Sequence, residues 1–112
     1  MSLTGKECVP CRGGVEPLSE IQAKVIQQQT PDWRLAENAT RLERNFQFAD
    51  FVTAQAFVNH VGDLAEQENH HPDFSFGWGY VHITIYTHTI KGLHENDFIL
   101  AAKIDEFIQG DL

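Results

Sequence analysis

Between Glu66 and Asp97 the chain reads EQENHHPDFSFGWGYVHITIYTHTIKGLHEND and holds five of its six histidines. An imidazole titrates near pH ~6.5, so it can donate or accept a proton at neutral pH. His70 and His71 are adjacent, and Pro72 restricts His71 to extended backbone. Neighbours in extended chain point to opposite sides, so the two rings are placed to bracket a ligand rather than to stack. Two nearby imidazoles disfavour double protonation, which divides them into one acid and one base. His88 adds a third ring, expected on a rigid strand that would aim it. The stretch reads as an acid/base pocket built mainly of imidazoles.

Two carboxylates accompany the rings. Glu66 lies four residues before His70 on the last turn of a helix, where a negative charge opposes the helix dipole unless a cationic partner offsets it. Asp97 falls on the axis of a later apolar stripe and is expected to face inward. It also stands at the third position of a helix capped by His94, where an acid favours the dipole, and both readings stay open. Such a set invites a metal, but the spacing matches no HExxH motif and no cysteine lies near, so no metal is assigned. Trp78 is either core or a flat wall for a planar heterocycle; spacing favours core. His60 is expected as a partly buried structural residue, and His82 as part of a surface stripe.

The elements that must position these groups follow from periodicity. Ser19 caps a first helix with Gln22 at the capping-box position, and Leu18, Ile21 and Val25 form its stripe, with Ile26 alongside, until Pro31 ends it. Trp33–Glu37 and Arg41–Phe48 read as strands joined at Asn38-Ala39-Thr40, although Arg44 shares a face with Leu42, Phe46 and Phe48. Asp50 starts a helix to about Gln67 whose stripe is Phe51, Ala54, Val58, Val61 and Ala65, widened by Phe57 and Leu64. A short strand near Phe74–Gly79 precedes the clearest one, Val81–Thr89, with Val81, Ile83, Ile85 and Thr87 on one face and His82, Thr84, Tyr86 and His88 on the other. Gly92-Leu93 turns into a last helix with Leu100, Ala101, Ile104, Phe107 and Ile108 inward. The order α-β-β-α-β-β-α, with no parallel crossover, predicts an α+β domain: a four-stranded antiparallel sheet with three helices on one face.

One domain is expected for 112 residues, with residues 1–16 as an N-terminal arm. A formal charge of −8 argues against a nucleic-acid partner, which needs a basic footprint. No apolar run approaches a membrane span and no signal peptide precedes the fold, so the expected location is cytoplasmic. Cys8 and Cys11 form a CVPC pair, yet neither the βαβ setting of a redox motif nor a second CxxC of a zinc ribbon follows. A reduced arm is the plain reading, and no chemistry is assigned to it.

The constellation resembles the signature of the pterin-4a-carbinolamine dehydratases: an acid four before a His-His-Pro, then an aromatic, a third histidine and an aspartate at set distances. Glu66, His70, His71, Pro72, Trp78, His88 and Asp97 fill every position in order. VHIT at Val81–Thr84, the Gly92-Leu93 turn and the CVPCRGG arm are similar to the family too, and only His94 departs, where Ser or Thr is expected. The resemblance implies dehydration of a 4a-hydroxytetrahydropterin to the quinonoid dihydropterin, in service of aromatic amino-acid hydroxylases. It implies His70, His71 and His88 as catalytic, with Glu66, Pro72, Trp78 and Asp97 supporting or binding substrate. Neither redox cofactor nor metal is implied, since the pterin is the substrate. A homodimer or homotetramer is implied as well. Some animal relatives bind a transcription factor as a dimerisation cofactor, so an interaction module is the alternative, or an accessory protein that binds pterin without turnover.

Overall fold

A computed structural model describes residues 3–6, 8 and 16–111. Cys11 and the rest of the CVPCRGG motif beyond Cys8 lie outside the described residues. Three α-helices and four strands run α1 (Glu20–Gln27), β1 (Arg34–Ala36), β2 (Arg41–Gln47), α2 (Phe51–Glu68), β3 (Asp73–Gly77), β4 (Tyr80–Ile85) and α3 (Glu95–Asp111). The expected α+β order therefore holds. The strands form one antiparallel sheet in the order β1-β2-β4-β3, which leaves β1 and β3 as edges.

Alternation decides which face is buried. Val81, Ile83 and Ile85 of β4 and Leu42 and Phe46 of β2 are nearly or fully inaccessible, covered by Phe57 and Val61 of α2 and Leu100 and Ile104 of α3. Each such fully buried aliphatic or aromatic side chain contributes about 1.5–3 kcal/mol by leaving water. Arg44 breaks the pattern of β2 because its charge is answered within the layer. Its Nη1 donates to Asp105 Oδ1 at 2.6 Å and its guanidinium lies over the Phe46 ring, 4.5 Å from the centroid. The fully buried Trp33 donates Nε1–H to the same Asp105 oxygen at 2.9 Å.

The helix starts are those expected. Ser19 and Gln22 close a reciprocal capping box, and Asp50 accepts from the Thr53 N–H at 2.9 Å. The stripe of α1 is not: Ile21 and Val25 are exposed, and Ala23 is the residue it buries. Helical period marks a face without saying that another element covers it. His60 is likewise exposed on α2, its ring against Phe107.

The N-terminal arm is docked where described. Leu3 is buried in a short turn, Lys6 pairs with Glu95 at 2.7 Å, and the Cys8 N–H donates to Glu68 Oε1 at 3.1 Å. Burial first, then the Glu68 charge, pushes the Cys8 thiol up to about 12. Glu68 in turn holds Lys103 at 2.7 Å.

Candidate functional site

Four element ends meet at one edge of the molecule. Asp73 opens β3 opposite Thr84, near the end of β4, so the close of α2, the start of β3, the exit of β4 and the first turn of α3 come together. Helix α2 stops because Asn69 takes a left-handed conformation (φ 54°), a position that Asn tolerates. Beyond it the chain leaves helical spacing, so His71, not His70, comes round to Glu66.

Each of three imidazoles meets a carboxylate through Nε2. His70 Nε2 lies 2.5 Å from Asp97 Oδ1, His71 Nε2 lies 2.5 Å from Glu66 Oε2, and His88 Nε2 lies 3.6 Å from Asp73 Oδ1. The first pair is interior, with His70 11% and Asp97 0% exposed, whereas His71 and His88 are each more than half exposed. The two neighbouring histidines do diverge, as extended backbone requires.

Asp97 is both inward-facing and part of a helix cap. Its Oδ2 accepts from the His94 N–H and from Thr87 Oγ1–H, both at 2.8 Å. His94 does what the absent Ser or Thr would do, because its Nδ1 accepts the Asn96 N–H at 3.1 Å. With Oδ1 facing His70, the aspartate accepts from three donors, which places a proton on His70 Nε2; in the neutral ring Nδ1 is then the nitrogen that carries the lone pair. No buried side-chain nitrogen or oxygen lacks a partner among the described residues, so that Nδ1 reaches solvent. It can act as a base.

His88 is not on a strand. Strand β4 ends at Ile85; Thr87 then forms an isolated bridge with Gly92, and His88–Ile90 make a single 3₁₀ turn between them. Gly92 is needed there, since a Cβ would fall 2.6 Å from Pro17 Cβ. Trp78 is not core either. It is 72% exposed in the β3–β4 turn, five residues along from Asp73 and so roughly 16 Å away at ~3.3 Å per residue. Glu66, His70, His71, Pro72, His88 and Asp97 are thus brought to one end, and Trp78 to the other.

Residues that sequence reading passed over are Asp73, Thr87 and Tyr86. Asp73 follows Pro72 directly, and Thr87 sits on the buried face of the β4 alternation beside His88, so both could have been found by position. His82 is spoken for: its Nδ1 meets Asn45 Oδ1 at 2.5 Å and its Nε2 meets Thr84 Oγ1 at 3.3 Å. Among the described residues no three His, Cys, Asp or Glu converge as a metal-ligand set, and no helix is long and apolar enough to cross a membrane.

Fold and site define a small α+β protein with a histidine–carboxylate cluster at one end of its sheet. The sequence profile of the Pterin 4 alpha carbinolamine dehydratase family matches residues 16–107, and the chain belongs to that family. A protein of Halorhodospira halophila, provisionally named a pterin-4-alpha-carbinolamine dehydratase, is 53% identical over 94% of this chain and 96% of its own. One of Methylococcus capsulatus with the same provisional name is 50% identical over 94% and 92%. Among solved structures, a transcriptional coactivator/pterin dehydratase from Brucella melitensis is similar at TM-score 0.75 and 27% identity, over 81% of this chain and 97% of that one. A pterin dehydratase-like protein described as a RuBisCO assembly factor in the alpha-carboxysome is similar at TM-score 0.58 and 29% identity, over 67% and 87%.

Proposed function

We propose that the protein dehydrates a 4a-hydroxytetrahydropterin to the quinonoid dihydropterin by general acid–base catalysis, with no metal or redox cofactor. The observation that carries this reading is the set of three imidazoles at one end of the sheet, each engaged by a carboxylate through Nε2. Cleavage of the C4a–O bond needs a proton on the departing oxygen, and formation of the C4a–N5 double bond needs the N5 proton removed. His70, whose tautomer Asp97 holds with Nδ1 unprotonated, takes the N5 proton. An exposed imidazolium, His71 or His88, delivers the other proton to the hydroxyl, which leaves as water. Solvent exchange then restores both groups. Glu66 and Asp73 orient the exposed rings, and Pro72 keeps the adjacent pair divergent.

Trp78, in the β3–β4 turn roughly 16 Å along the hairpin from Asp73 at ~3.3 Å per residue, does not share the pocket of its own chain's imidazoles on this reading. The pterin is supplied, on this reading, by an aromatic amino-acid hydroxylase, in the cytoplasm, to a homodimer or homotetramer. A second reading, an interaction module, draws on the two structural neighbours described as a coactivator and an assembly factor. Turnover without any partner protein favours the enzyme.

The test is kcat with an enzymatically generated carbinolamine, corrected for the uncatalysed dehydration. His71→Ala and His88→Ala should each lose about 10²–10⁴-fold, the usual worth of a positioned acid or base. His82→Ala should change kcat little. Equal damage from His82→Ala and His88→Ala in folded protein overturns the assignment. Loss of turnover on exhaustive chelation, restored by zinc, overturns the metal-free mechanism.

A further inference from the structure

His88 poses a question of aim. Its ring is 53% exposed on a single 3₁₀ turn, and the ion-pair distance of 3.6 Å to Asp73 directs one nitrogen without fixing the plane of the ring. Against that ring packs Tyr86, whose ring centroid lies 4.1 Å from that of His88 at an interplanar angle of 40°. Tyr86 is itself held. The Arg41 guanidinium carbon sits 3.6 Å from the Tyr86 centroid, and Arg41 Nη1 donates to the Thr40 carbonyl at 3.0 Å.

The backbone explains why these residues meet. Leu42 of β2 pairs with Ile85 of β4, and both are buried on the helix-covered face. Arg41 precedes Leu42 and Tyr86 follows Ile85, so continuing the antiparallel register and its alternation sets the two opposite each other on the other face. Stacking of a guanidinium on a phenol ring is the geometry a cation–π contact favours.

We infer that Tyr86, clamped by Arg41, is a positioning residue for His88, an inference that rests on the dehydratase reading above. The phenol ring limits the imidazole to one orientation, so that its Nδ1 stays directed while Nε2 faces Asp73. Misorientation of a reacting group lowers the rate of the chemical step without altering the affinity for substrate in proportion. Only the ring is used. The hydroxyl plays no part, so Phe substitutes for Tyr.

The experiment compares Tyr86→Leu, Tyr86→Phe and Arg41→Ala. Tyr86→Leu should lower kcat about tenfold, equivalent to about 1.4 kcal/mol in the barrier, with KM changed less than about twofold. Tyr86→Phe should restore kcat, and Arg41→Ala should give a smaller loss in the same direction. Independently of turnover, the ring protons of His88 should show aromatic ring-current shifts by NMR that vanish in Tyr86→Leu and persist in Tyr86→Phe, with His82 lines unmoved as a check on folding. Retained shifts in folded Tyr86→Leu, or an equal fall in kcat for Tyr86→Phe, overturn the inference. If the wild type has no dehydratase activity, it is the proposed function that fails. The NMR lines then still decide whether Tyr86 holds the ring.

Discussion

Replacing Asp97 by Asn keeps the shape of the side chain and changes one acceptor into a donor. In the wild type Oδ2 takes the His94 N–H and the Thr87 hydroxyl, each at 2.8 Å, and Oδ1 takes His70 Nε2–H at 2.5 Å. The least costly arrangement leaves the amide oxygen on the first two donors and turns the amide nitrogen toward His70. That nitrogen donates, so His70 must move its proton from Nε2 to Nδ1. Three charge-assisted hydrogen bonds become neutral ones; at about 1.5–3 kcal/mol for a bond to a charged group against about 1 for a neutral one, destabilisation is about 1.5–6 kcal/mol. A domain with about 5–15 kcal/mol in hand folds through most of that range, with Tm lowered by roughly 6–30 °C. Catalysis should suffer more, because a protonated Nδ1 cannot take a proton: kcat should fall about 10²–10⁴-fold. Urea and thermal melts give the first quantity, background-corrected dehydration the second, and ¹⁵N shifts of the His70 ring report the tautomer. Unchanged kcat in folded Asp97→Asn, or a His70 still protonated at Nε2, would refute the reasoning.

The open edges β1 and β3 predict association: sedimentation at micromolar concentration should give a dimer or tetramer, and a monomer would count against assembly through the sheet. Glu68 predicts a pH dependence of stability. Burial pushes its carboxyl up, but Lys103 and the Cys8 N–H more than offset this, and the net shift is downward from 4.5. A carboxyl lowered in the folded state stabilises fully above its unfolded pKa and loses that contribution as pH falls through the folded one. The stability difference between wild type and Glu68→Gln should therefore be largest at neutral pH and shrink below about pH 4.5, as read by melts across the range; a difference that grows on acidification would reverse the sign.

Much of this arrangement was legible because it rests on local rules. The capping boxes at Ser19 and ahead of Asp97, the Asp50 start and the alternation of Val81, Ile83 and Ile85 each follow from a few neighbouring residues. The divergence of His70 and His71 follows from Pro72 in the same way. What escaped depends on contacts distant in sequence. The pattern of β4 continues unbroken through His88, but the Thr87–Gly92 bridge and the close approach of Pro17 bend the chain before it arrives. Glu66 matches His70 by helical spacing, yet a left-handed Asn69 hands it to His71. Spacing also cannot tell which end of a hairpin a residue occupies, which is why Trp78 looked like part of the core.

The two tryptophans have opposite surroundings, and this makes the protein optically self-reporting. Trp33 is sealed, its indole N–H tied to Asp105, while Trp78 stands 72% exposed at the far hairpin. Sealed indole emits to the blue of exposed indole, and a water-borne quencher such as iodide reaches only the latter. Fluorescence of Trp33 therefore follows the opening of the core, and that of Trp78 follows events at the β3–β4 turn, including any second chain that arrives beside edge strand β3. A Trp78→Phe protein would carry a single emitter whose signal belongs to folding alone.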